Sequence, residues 1–186
     1  MRTPLHPQLE QLQRELQQAG EQASRLAASV DEGIWARRPE PGRWSAAECV
    51  VHLNLTSEAY IPLIEYTIRQ GREREWRGNG PYRRDPIGWL LARIIEPPAR
   101  LRVKTTAPFV PRISGQKDEI VGEFLELQKR LEDQVEAANG LNLNRLRIAS
   151  PFYPRVRYNL FSGFKILAAH ERRHLWQAEQ AVGVTR

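Results

Sequence analysis

Leu5, Leu9, Leu12, Leu16, Ala19, Ala23, Leu26 and Val30 recur at alternating steps of four and three. That spacing keeps one apolar stripe on a helix of 3.6 residues per turn. The same period returns three more times. Val50, Leu53, Ile61, Ile64 and Ile68 mark a second helix to about Gln70, and Ile120, Phe124, Leu127, Leu131, Val135 and Ala138 a third over about 116–139. A fourth runs from about Asn159 to Val182. The first stripe could instead be a coiled-coil seam, but no other segment sustains heptads. Alternation at the strand period is scarce, and there is no internal repeat. Four amphipathic helices that must cover one another predict an all-α chain, a four-helix bundle.

Turn and cap chemistry sets the predicted boundaries. Gly33 stands where a left-handed cap would end the first helix, and Gly71 and Gly140 where the second and third would stop. Ser45 with Glu48 three residues later forms a capping-box pattern at the start of the second helix. Pro62 predicts a kink inside it. Between the second and third helices, residues 71–116 hold turn chemistry, a short apolar helix from about Ile87 to Ile95, and an irregular proline-bearing stretch. Forty-odd residues exceed what an antiparallel turn needs, so the expectation is a long crossover that makes these two helices parallel.

A chain of 186 residues is expected to form one domain, 1–186, with a core of its own. Cys49 is the sole cysteine, so no internal disulfide is possible and the cytoplasm is the default location. Met1 to Gln18 has no signal-like apolar run, and no stretch approaches a membrane span, so no membrane partner is expected. The net charge is +6, with basic clusters at Arg72 to Arg77, Arg83-Arg84 and Arg100 to Lys104. Acidic residues interrupt the first cluster, which fits a solvated surface better than a phosphate-tracking stripe; nucleic acid is not an expected partner.

Chemistry concentrates near the C-terminus, in His170-Glu171-Arg172-Arg173-His174-Leu175-Trp176-Gln177. Residues i and i+4 share a helix face, so His170 and His174 can address one metal ion. The His-Glu-x-x-His pattern also matches the zinc-peptidase signature. That class needs a third ligand downstream, and Gln177 and Gln180 occupy the places of the extended motif's glycine and histidine. Glu179 lies about 140° round the helix from His174. A zincin peptidase is therefore excluded, and Glu171, about 100° from His170, is expected to face solvent.

The third ligand must come from upstream, where His6 and His52 are the only other histidines. His6 sits beside Pro4 and Pro7 at a terminus that frays. His52 lies two turns into the second helix, with Glu48 and Cys49 on its side. Alone it would be an ordinary packed histidine, and Glu48 is explained by the capping box. Bundles nevertheless build metal sites from inward side chains on facing helices. Three neutral imidazoles leave one or two open positions, which suits zinc, nickel or iron(II).

Taken together, Arg43-Trp44-Ser45-x-x-Glu48-x-x-x-His52-Leu53, Arg147-Ile148-x-Ser150-Pro151-Phe152 and His170-Glu171-x-Arg173-His174-x-x-Gln177 resemble the DinB-like superfamily, over nearly the whole chain. The likeness is to the branch with the bacillithiol and mycothiol S-transferases and related metal-dependent hydrolases. The resemblance implies an up-down-down-up bundle and a metal held by His52, His170 and His174. It further implies one divalent ion, zinc or nickel, with iron or manganese as alternatives. The substrate it implies is a small-molecule thiol passed to an electrophile, or another small substrate that is hydrolysed. A homodimer and a stress-response role are further implications, and a non-catalytic bundle is the alternative. Glu48, Gln177 and Arg173 are secondary candidates: Gln177 could orient a ligand, and Arg173 could hold a substrate carboxylate or form a surface ion pair. The sequence does not identify a general base.

Overall fold

The structure is a computed structural model and describes residues 4–98 and 105–183. The chain is all-α apart from one small sheet. Its helices are α1 (Pro7–Ala28), α2 (Glu32–Ala36), α3 (Ala46–Glu73), α4 (Pro86–Ile95), α5 (Lys117–Ala137) and α6 (Leu160–Ala181). A 3-10 turn spans Ala107–Phe109, and two short strands, β1 (Arg147–Ala149) and β2 (Arg157–Asn159), pair antiparallel. Among the described residues, no helix is long and apolar enough to cross a membrane. The expected basic cluster at 100–104 lies outside the described residues.

The four predicted long helices are α1, α3, α5 and α6, and their capping residues explain most of their ends. Ser45 and Glu48 form the expected capping box: Glu48 N–H donates to Ser45 Oγ at 3.1 Å, and Ser45 N–H to Glu48 Oε2 at 2.9 Å. Asn159 caps α6 by accepting from Ser162 N–H at 2.8 Å. Asp85 caps α4 by accepting from Gly88 N–H at 2.7 Å. Gly140 follows α5 in the left-handed region, at φ 76°, where its missing Cβ removes the steric cost.

Three boundary expectations fail. Gly33 does not end the first helix: α1 stops at Ala28, and Asp31 starts α2 by accepting from Ile34 N–H at 2.7 Å. That extra turn buries Trp35 in the core. Gly71 does not stop α3, which continues to Glu73. It is buried, and a Cβ there would come within 3.0 Å of Leu146, so glycine is present for close packing. Finally, the connector 141–157 is not wholly irregular, because Ile148 and Tyr158 pair across β1 and β2 and turn into the core.

The long helices pack as α1 on α5, α5 on α3, α3 on α6, and α6 on α1, with α4 laid across α6. Hydrogen bonds mark the register of each pair. Asn54 meets Ile120 and Glu123, while Gln134 meets Glu65. Gln17 meets Glu132, Lys165 meets Glu15, and Gln22 meets Glu179. The buried apolar side chains form two groups. One gathers Leu9, Leu12, Ile61, Ile64, Leu131, Tyr158 and Phe164; the other gathers Ala23, Trp35, Ala47, Leu53, Phe124 and Leu175.

Candidate metal centre

The site begins with the α3 capping box, which fixes the helix start and hence the direction of His52 two turns later. Glu48 also takes two hydrogen bonds from Arg38 Nε, at 2.8 and 3.0 Å, and an ion pair from its Nη2. Burial works to raise the Glu48 pKa, but the Arg38 and Ser45 bonds prevail and lower it. Glu48 is thus a buried carboxylate serving the cap and Arg38.

His52 is buried, and its Nδ1 lies 2.7 Å from the carbonyl oxygen of Phe109. A carbonyl can only accept, so Nδ1 carries the hydrogen and Nε2 presents a lone pair. That Nε2 points at α6, 3.3 Å from His170 Nε2. His170 and His174 stand one turn apart with ring centroids 4.4 Å from each other, and 5.1 and 4.5 Å from the His52 ring. One ligand atom from each ring lies within 4.8 Å of the others, and none of the three residues is more than 9% exposed. Burial and the neighbouring rings therefore keep all three neutral. Burial takes His52 down to about 4, against a smaller upward pull from Phe109. Burial, then His52 and the Arg173 charge, hold His170 well below the usual range, and burial, then His170, His52 and Arg173, do the same to His174.

The donor set fits a metal ion. Two nitrogens bound tetrahedrally at 2.0–2.1 Å stand about 3.3 Å apart, which is the His52–His170 separation. All three imidazoles are neutral, as ligation requires. Nδ1 of His170 and of His174 is buried without a partner among the described residues. No described residue therefore opposes the tautomers that put the hydrogen there and free Nε2.

Three aromatic rings close round the histidines. Trp44 lies 4.8 Å from the His52 ring and 5.7 Å from His174. Phe152, from the β1–β2 loop, lies 6.2 Å from His52 and 5.6 Å from His170, and it stacks on Phe109 at 4.3 Å. Trp44 packs on one apolar group of the core and Phe152 on the other, so the cluster sits where the two meet. Trp44 and Phe152 fall in the motifs quoted above but carry no periodicity that marks them as lining. Phe109 had no sequence signal, because a backbone carbonyl is the part that binds.

The other candidates divide. Arg173 is buried beside the histidine pair, not on the surface as expected, and burial lowers its pKa. Gln177 is half-buried and favours the protonated His174 ring, although it closes no well-formed hydrogen bond on Nδ1. Glu171 is not the expected solvent-facing residue. It is 1% exposed, accepts from Gln128 Nε2 of α5 at 2.9 Å, and burial raises its pKa to about 8. Cys49 is buried, with its thiol pushed far above the ordinary range, so it is no nucleophile. His6 lies elsewhere, capping α1 and set against Tyr82.

A family model described as the DinB superfamily matches residues 15–178. No curated protein and no solved structure gives a significant match.

Proposed function

The chain belongs to the DinB superfamily, and from that premise we propose a metal-dependent enzyme that transfers a low-molecular-weight thiol to an electrophile. His52, His170 and His174 are the ligands in this reading, and zinc or nickel is the resident ion. The observation that carries it is the convergence of three neutral imidazoles from α3 and α6. A divalent ion with open positions supplies Lewis acidity, lowering the pKa of bound water to about 7 and deprotonating a coordinated thiol.

The family resemblance favours the thiol over hydrolysis, and charge is compatible with it. The donor set contributes no negative charge, and among the described residues the Arg173 charge bears on both His170 and His174. Such a site favours an incoming anion, and a thiolate is one. The chain's own residues do the positioning. Phe109 holds His52 by its carbonyl, Trp44 and Phe152 keep bulk water from the imidazoles, and Gln177 orients His174 or a bound ligand.

The fold belongs to the same proposal: one domain, 1–186, arranged as an up-down-down-up four-helix bundle. The hydrogen-bond registers support it. Partners rise together along α3 and α5, and along α1 and α6, whereas Tyr60 meeting Tyr158 and His52 meeting His170 run in opposite senses on α3 and the α6 side.

The test is elemental analysis followed by a thiol-consumption assay with an alkyl halide. The expected result is close to one divalent ion per chain, lost in His52→Ala, His170→Ala and His174→Ala, and thiol consumption that stops on chelation. Full metal retention in His52→Ala removes the ligand assignment. Metal without thiol consumption, together with metal-dependent ester hydrolysis, selects a hydrolase instead.

A further inference from the structure

A surface helix ordinarily turns its large apolar residues inward; α4 packs Leu91 and Ile95 against the core but turns four more outward. It buries Gly88 and Ala92 and rests closely on α6, where a Cβ on Gly88 would run into the Ser162 side chain. Its outer face carries Ile87, Trp89, Leu90 and Ile94, which are 46, 49, 51 and 37% exposed. Four large apolar side chains on ten residues form an exposed patch of the kind that marks an interaction site.

Among the described residues, the charge around that patch left without an opposite partner is positive. Arg83 and Arg84 immediately precede the Asp85 cap, and Arg93 lies on the outer face with its guanidinium 6.0 Å from the Trp89 ring. Arg147 and Arg157 border the helix start through the small sheet, with Arg147 bonded to Asp85 at 2.8 Å. The two acidic residues at the helix ends are already engaged, Asp85 by Arg147 and Glu96 by Arg172. Among the described residues, Arg83, Arg84 and Arg93 have no ion pair.

We propose that α4 is a peripheral docking helix for an anionic lipid surface, with Ile87, Trp89, Leu90 and Ile94 entering the headgroup boundary and Arg83, Arg84 and Arg93 pairing with lipid phosphates. An apolar face with arginine at its border is the pattern of interfacial helices, and anionic leaflets attract such borders. Arginine can lay its stem along the apolar layer while its guanidinium stays at the phosphates. A second copy of the chain fits less well. A two-fold contact sets a patch against itself, which would bring the same positive border in from both copies. Duplex nucleic acid fits less well too, since four apolar side chains would face a phosphate backbone. No membrane span is needed, because the helix lies in the surface.

The experiment is co-sedimentation of the metal-loaded protein with vesicles of phosphatidylglycerol and phosphatidylcholine, against vesicles of phosphatidylcholine alone. The expected result is binding to the anionic vesicles only, weakened at least tenfold by Trp89→Ser with Leu90→Ser, and also by Arg83→Glu with Arg84→Glu. The first pair is half in solvent already and the second lies outside the helix, so folding, followed by circular dichroism, is expected to survive both. Failure to sediment with the anionic vesicles overturns the proposal. So does equal binding to both vesicle types. A dimer that the Trp89→Ser, Leu90→Ser variant splits, without vesicle binding, assigns the face to a second copy instead. Tight binding to duplex DNA without vesicle binding assigns it to nucleic acid.

Discussion

Buried titratable side chains make this protein's stability depend on pH in two opposed ways. His52 binds its proton only near pH 4 when folded, but near 6.5 when unfolded. Between those values the unfolded chain holds more protons, so stability is full above pH 6.5 and falls as pH drops towards 4. The slope is on the order of 1 kcal/mol per pH unit for each such histidine, and His170 and His174 add to it in the same direction. Urea midpoints of the metal-free protein from pH 7 down to pH 4.5 check this; a flat profile contradicts it. Glu171 acts in reverse. Its folded pKa is raised to about 8, so its contribution is full below the unfolded value and is lost as pH rises towards 8. Glu171→Gln keeps the polar contact with Gln128 without a charge to bury. It is expected to stabilise the chain at pH 8 by on the order of 1 kcal/mol, and less at pH 5, by the same unfolding measurement.

At the scale of elements, α3 and α4 are the most exposed to single changes. Ser45→Ala removes one half of the capping box and is expected to cost about 1 kcal/mol, read as a lower thermal midpoint. It should also loosen the metal, since His52 is positioned by that helix start. Gly88→Ala places a methyl group against Ser162, and overpacking of this kind costs ~1–3 kcal/mol. The expected sign is faster hydrogen exchange in α4 with the other helices less affected. How legible each element was in the sequence follows from its surroundings. The stripes of α1 and α5 and the Ser45–Glu48 cap stand in the sequence because one face of each helix meets solvent. In α6 this fails: α1, α3 and α4 pack round it and Gln128 of α5 reaches Glu171. Helical spacing gave the azimuths of Glu171 and Arg173, but a sequence carries no record of which azimuths other helices cover. The same limit hid Phe109, whose contribution is a main-chain oxygen.

For the whole molecule, the proposed ligand set ties two core groups and two helices through one ion. Binding only the folded state stabilises it by about 2.7 kcal/mol when free metal is a hundredfold above its Kd. Chelation is therefore expected to lower the thermal midpoint by several degrees, and re-addition of zinc or nickel to restore it. His52→Ala should show no such response. Retained folding after chelation, with secondary structure intact, separates a functional ion from one on which the fold depends.

The division of the histidines between α3 and α6 also sets an order in time. His52 and His170 are 118 residues apart. At ~5–20 residues per second a ribosome needs roughly 6–24 s to travel from one to the other. Throughout that interval the emerging chain offers one imidazole of the proposed set, His52, too weak alone to hold an ion against cellular competitors. With the proposed ligands, metal capture is deferred until α6 has been made and has closed against α3. A chain whose synthesis stops before His170 leaves the ribosome without two of the three proposed ligands.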